Sequence, residues 1–150
     1  MLVPLVLTAH LLVGVALLGA VTHQAVGVLS PSAVTGGPFI ARYAKAGQSA
    51  FTAAIAVLFA SSILLGGLLY PTYRMHVRMP FEAMSLAWAI GLFELKEHFG
   101  ALGIGLLPAY AWGWRSGNFA GRTGLTLVLA LIAWWNFLVG HVLNNLRGLT

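Results

Sequence analysis

Four histidines lie in segments that carry almost no charge, and they are the residues with the clearest chemical potential. They are His10, His23, His98 and His141. An ionisable side chain within an apolar segment is costly, and such residues commonly serve a cofactor, an ion or a proton path. Two imidazoles from neighbouring helices at one depth can fill both axial positions of a b-type haem. The histidines therefore indicate haem ligation.

A short charged cluster next to His98 is the second chemical feature, and it includes Glu94, Lys96 and Glu97. Glu94 and His98 share a helical face, so they can pair internally, while Lys96 points elsewhere. The cluster can also form a proton or quinone site in which Glu94 and Glu97 accept protons. A carboxylate-rich metal site is a third interpretation, but it needs more ligands than the sequence offers. If the span begins near Phe99, the cluster instead anchors a helix at the membrane surface.

Composition predicts that membrane helices position these residues. The chain is 59% hydrophobic and 7% charged, with a mean hydropathy of +0.89, whereas soluble domains carry about 25% charged residues. Residues 1–41, 46–73 and 123–146 contain no Asp, Glu, Lys or Arg, and a spanning helix needs roughly 20 mainly apolar residues. A fourth span has to contain the charged cluster.

The sequence thus predicts an all-α fold, an integral membrane four-helix up-down bundle that forms a single transmembrane domain over residues 1–150. Proline and glycine positions set the helix bounds, since both residues interrupt helices. We expect the helices over about residues 3–29, 48–70, 81–107 and 123–146.

The net charge of +5 and the isoelectric point near 10.3 come from basic residues at the expected helix ends, where they meet lipid headgroups. We therefore expect a lipid bilayer as partner, an inner or plasma membrane of prokaryotic type, and no nucleic acid. The numbers of basic residues on the two sides are too similar to orient the chain. The absence of cysteine excludes disulfides, iron–sulfur ligation and c-type haem attachment.

Helix depth predicts how the histidines pair. We call the membrane surface at which helix 1 begins face X and the opposite surface face Y. With a rise of about 1.5 Å per residue, His23 and His98 lie roughly 30 and 24 Å from face X. His10 and His141 lie roughly 10 and 5 Å from it. His23 pairs with His98, and His10 pairs with His141.

Small residues around the first pair favour a haem, because a macrocycle must approach the helix backbone closely. They include Gly19 and Gly27 near His23, and Gly91 and Gly105 near His98. His10 and His23 are 13 residues apart, about 140° out of alignment on a helix. We expect one haem b rather than two, with His10 and His141 as the weaker pair.

Short helices, histidines at matched depths and glycine-rich ligand faces resemble the small membrane cytochromes b that anchor or serve respiratory complexes. The resemblance implies electron transfer between a quinone pool and a redox partner subunit, with haem b ligated by His23 and His98. At most, it implies an electron-transfer subunit of an oxidoreductase complex. The 13-residue spacing and the charged third helix depart from the usual pattern of that family.

Two other functions are compatible with the same residues. The chain can be a cofactor-free structural or assembly subunit, in which polar side chains contact other chains or a second copy. It can also be a small proton-linked transporter that uses Glu94 and His98, in which case it would have to oligomerise. Visible absorption distinguishes the haem protein from both alternatives.

Overall fold

The computed structural model describes residues 2–30, 48–117 and 119–148, and all of its regular elements are helices. The all-α prediction is confirmed for this part of the chain. A π-helical turn, Arg74–Arg78, links the second helix to the short third one. The α-helices are α1 (Leu2–Leu29), α2 (Gln48–Tyr73), α3 (Met79–Ala83), α4 (Ala87–Ser116) and α5 (Phe119–Gly148).

Three stretches of helix are long and apolar enough to cross a membrane in the described part of the chain. They are Leu2–Leu29, Ser49–Ala83 and Ala120–Leu146. This agrees with the expectation of a membrane protein. The long helix α4 is not among them, and it contains the charged residues Glu94, Lys96 and Glu97.

The connection between α2 and α4 differs from the sequence prediction. Helix α2 continues through Pro71, whereas the sequence predicted an end at Tyr70. A proline lacks an N–H donor and crowds the preceding turn, and the chain then widens into the π turn, where the Met79 N–H donates to the Arg74 carbonyl. After α3 the chain reverses at Ser85, whose φ of 58° is left-handed.

As a result α4 begins at Ala87 and not near Phe81, and it ends later than the sequence predicted. Pro108 lies inside this helix, whereas an end near Leu107 was expected. The helix terminates where Gly117 adopts a left-handed φ of 73°, a common conformation just after a helix end.

Each of the four long helices packs mainly against two others. Helix α1 contacts α2 and α5, and α4 contacts α5 and α2. The first two run in opposite directions: His10, early in α1, lies against Gly66, late in α2, and Gln24, late in α1, bonds to Thr52, early in α2. Residues near face X of one helix therefore meet residues near face X of its neighbour.

Helices α2 and α4 touch closely at Gly103, which is buried. A Cβ atom at this position would overlap the ring of Phe59, a side chain that is itself buried. The close approach therefore requires glycine. This contact lies about midway along both helices.

Candidate functional site

The two histidines of α1 have inward positions. His23 is buried, and its ring centroid lies 4.5 Å from that of Phe51. His10 is half-buried, and its Cε1 atom lies 3.6 Å from the position that a Cβ of Gly66 would take. Both rings thus contact α2.

The histidines of α4 and α5 are exposed on the outside of the helices. Nδ1 of His98 lies 2.7 Å from the Glu94 backbone carbonyl. Nε2 of His141 lies 3.0 Å from Nδ2 of Asn145. Neither interaction reaches another helix.

The positions of the four histidines change the depths at which the expected haem ligands lie. Because α4 begins at Ala87, His98 lies roughly 17 Å from face X while His23 lies roughly 30 Å from it. His10 and His141 are nearly level, at roughly 12 and 10 Å, but the His141 ring faces outward. The structure brings neither pair into contact through a described interaction, and haem ligation stays a prediction.

The glycines expected to form the haem groove lie mostly on the outside. Gly19, Gly91 and Gly105 are exposed, and added Cβ atoms there would meet no described heavy atom within 4 Å. Gly27 is half-buried. The faces of the three exposed glycines are open to molecules outside the four helices.

The two expected carboxylates also lie on the outer side of α4. Glu94 is 3.6 Å from Arg78, which bonds to Glu82 at 2.8 Å. This ion-pair network connects α4 to α3 and the π turn. Glu97 is exposed on the same helix.

Lys96 points inward instead, which the sequence reasoning missed. Its Cε atom lies 3.6 Å from the Cβ position of Gly140 in α5. Its Nζ atom lies 5.2 Å from the ring centroid of Phe93, and its charge acts on His10. The Phe93 ring stacks on Tyr73, with centroids 3.5 Å apart. We call Lys96, His10, Phe93 and Tyr73 the Lys96 cluster.

Several buried polar atoms in or near this cluster lack a hydrogen-bond partner among the described residues. Nδ1 of His10 and the hydroxyl of Tyr73 belong to the cluster, and Nε1 of Trp135 lies on the adjacent part of α5. Trp135 is linked to α4 by an edge-on contact with Phe99, at 5.8 Å between centroids. Buried polar groups are normally bonded, so these atoms can serve a ligand.

A sequence signal for the Lys96 cluster did exist. Lys96 lies off the helical face shared by Glu94 and His98, and two glycines, Gly66 and Gly140, occur at a similar distance from face X. Glycines leave room between helices, and a long cationic side chain such as that of Lys96 needs this room to point inward. What the sequence lacked was the register between the four helices.

A second interior polar group lies near face Y and is internally bonded. The Tyr110 hydroxyl donates to Oε1 of Gln24, and Nε2 of Gln24 donates to Oγ1 of Thr52 at 3.3 Å. Gln24 and Tyr110 are both 0% exposed. We call these three residues the Gln24 cluster. It joins α1, α2 and α4, and its bonds suit a structural role.

Comparison with known proteins finds no matching protein family, no similar curated protein and no similar solved structure. The function of the chain therefore has to follow from the chemistry of its own residues.

Proposed function

We propose that the protein is a membrane electron-transfer subunit whose Lys96 cluster binds the headgroup of a quinone. In this proposal α4 is the fourth span of a four-helix up-down bundle, held in an inner or plasma membrane of prokaryotic type. The observation that carries the proposal is the inward Lys96 side chain, whose ammonium lies over the Phe93 ring that stacks on Tyr73. Lys96 also interacts electrostatically with His10. Two polar atoms of this cluster, Nδ1 of His10 and the Tyr73 hydroxyl, have no hydrogen-bond partner among the described residues.

The depth of the cluster supports this function. At about 1.5 Å per residue, α1 is roughly 42 Å long, against a hydrocarbon core of about 30 Å. His10 then lies roughly 6 Å inside the hydrocarbon edge, and Lys96 is close enough to act on it. A charged group at that depth is costly and usually marks a ligand, ion or proton site.

The chemistry of the cluster suits a quinone ring. The two carbonyl oxygens of a quinone accept hydrogen bonds, which an ammonium, an imidazole and a phenol can donate. The stacked rings of Phe93 and Tyr73 offer an aromatic wall of the kind that planar ligands pack against. An apolar quinone tail reaches such a site from the bilayer.

The residues would have distinct roles in the reaction. Oxidation of a quinol releases two electrons and two protons. The Lys96 ammonium offsets negative charge on the ring oxygens, and His10 takes up the two protons one after the other and passes each on to water. The two electrons leave one at a time, in two successive steps, to a one-electron acceptor that haem b or a redox partner subunit would supply.

Quinone binding is the decisive test. We expect a short-chain quinone to quench the tryptophan fluorescence of the detergent-purified protein. Lys96→Met and His10→Leu should each weaken the affinity by at least about tenfold, the effect of losing roughly one charge-assisted hydrogen bond. The matched controls His76→Leu and Arg115→Met change exposed residues outside the cluster and should keep the affinity. Unchanged affinity in both cluster variants would refute the quinone site.

Haem is tested separately. The acceptor expected from the sequence is haem b ligated by His23 and His98, with His10 and His141 as the alternative pair. A dithionite-reduced minus oxidised spectrum should show a b-type α-band that is lost in His23→Ala and His98→Ala. A featureless spectrum from folded protein would contradict haem binding and assign the acceptor role to a partner subunit.

A further inference from the structure

The outer face of α4 carries small and polar residues that the fold leaves uncovered. They follow one another at intervals of three and four residues, so they lie on one side of the helix. We call this set the outer stripe, and all of its members are exposed. It consists of Gly91, Glu94, His98, Ala101 and Gly105, with Glu97 beside it.

The depth of this stripe makes its exposure unfavourable. Lys96 lies against Gly140, which belongs to a helix apolar enough to span the membrane. Glu97 and His98 follow it directly in α4 and are therefore also within the hydrocarbon region. Glu97 interacts electrostatically with Lys96 of its own helix, and His98 bonds to the Glu94 backbone. Lipid tails cannot bond to the remaining carboxylate and imidazole atoms, so a polar neighbour on this face would stabilise both side chains.

We propose that this neighbour is the outer stripe of a second copy of the chain. The inference depends on the membrane position of α4 given under the proposed function, but not on quinone binding. A two-fold axis along the membrane normal brings equal depths of two α4 helices together. Glu97 of one copy then lies next to His98 of the other.

The chemistry of the stripe is complementary to itself. Nδ1 of His98 interacts with the Glu94 backbone carbonyl, which leaves Nε2 for a neighbouring chain. The Glu97 carboxyl group and this Nε2 can share one proton, whichever of the two carries it. Two of the three acidic residues of the whole chain lie in or beside the stripe. Each copy carries one Glu97 and one His98, so two copies together supply the donor and the acceptor of this hydrogen bond.

The shape of the stripe also fits a helix. Added Cβ atoms at Gly91 and Gly105 would meet no heavy atom of the described chain within 4 Å. Small residues at helical spacing allow two membrane helices to approach closely, and polar side chains then bond across the contact. The stripe provides both features.

The chain has no cysteine, so single cysteines test the contact directly. We expect Gly91→Cys, Ala101→Cys and Gly105→Cys to form disulfide-linked dimers in native membranes treated with a membrane-permeant oxidant. Leu64→Cys and Leu68→Cys are matched controls on α2, where the leucines are 70% and 69% exposed. The stripe variants should cross-link at least about fivefold more than the controls, since disulfides need Cα atoms within roughly 7 Å.

Two results would overturn the proposal. One is equal cross-linking at stripe and control positions. The other is a stripe cysteine that links to a different protein, which would assign this face to a partner subunit. As an independent measurement, Glu97→Leu combined with His98→Leu should shift the detergent-purified protein from dimer to monomer. Quinone affinity measured on the same variants separates failure of the dimer from failure of the quinone site.

Discussion

The two interior polar clusters lie towards opposite ends of the helices and differ in how their bonds are completed. In the Gln24 cluster, Tyr110 and Thr52 both bond to Gln24, so three helices supply donors and acceptors to one another. In the Lys96 cluster, Nδ1 of His10 and the Tyr73 hydroxyl have no described partner. One cluster is chemically complete and the other is not.

This difference indicates a structural role for the Gln24 cluster and a ligand-binding role for the Lys96 cluster. An unbonded polar group in an apolar interior costs free energy, and a bonded network strengthens a unique packing. The Gln24 cluster therefore stabilises the helix arrangement near face Y. The Lys96 cluster costs stability near face X, and binding of a ligand would offset that cost. Substitutions in the two clusters should consequently have opposite effects on stability.

The largest effect is expected between the clusters, at Gly103. The substitution Gly103→Leu would force the Phe59 ring away and separate α2 from α4. Overpacking a tight core contact costs about 1–3 kcal/mol and occasionally more, and here the Phe59 ring is itself buried and has little room to move. We expect a loss of about 3 kcal/mol or more, measured by thermal unfolding in detergent.

Gly67→Leu is the matched control for this prediction, because a Cβ added at Gly67 meets no described atom within 4 Å. It should unfold close to the wild-type temperature. An equal loss of stability in Gly103→Leu and Gly67→Leu would mean that the Gly103 contact does not hold α2 against α4. The positions of the two clusters would then have to depend on other helix contacts.

The next effect concerns the Gln24 cluster. Tyr110→Phe removes the hydroxyl that Gln24 accepts from, and Gln24→Leu removes the partner of both Tyr110 and Thr52. Each should lower the free energy of unfolding by about 1–3 kcal/mol, the cost of an unsatisfied buried group. The double variant should lose less than the sum of the two, by about 1 kcal/mol. Additive losses in chemical denaturation would show that the two side chains act independently.

The sequence predicted the helical class because its apolar segments are long and nearly free of charge, and three of them are helices that could cross a membrane. It did not predict the π turn or the left-handed Ser85. Both depend on how α3 packs, and no local pattern marks them. The later start of α4 follows from them, and it changed the depth assigned to His98.

The sequence predicted less of the candidate sites. It identified His10 and Lys96 as costly, but the inward direction of Lys96 depends on the register between α4 and its neighbours. The bond between Tyr110 and Gln24 joins residues 86 positions apart, beyond the reach of helical periodicity. Histidine was the most visible signal, yet the charged side chain that points inward from α4 is a lysine.

The smallest expected effect, and the one of opposite sign, is that of Lys96→Met on stability. Methionine keeps most of the side-chain volume and removes the charge, so the ligand-free variant should gain about 1 kcal/mol. Saturating quinone should then stabilise the wild type more than the variant, because ligand binding to the native state raises its stability. Thermal unfolding with and without quinone measures both. A ligand-free variant less stable than the wild type would show that Lys96 completes the fold, as Gln24 does, and would remove the distinction between the two clusters.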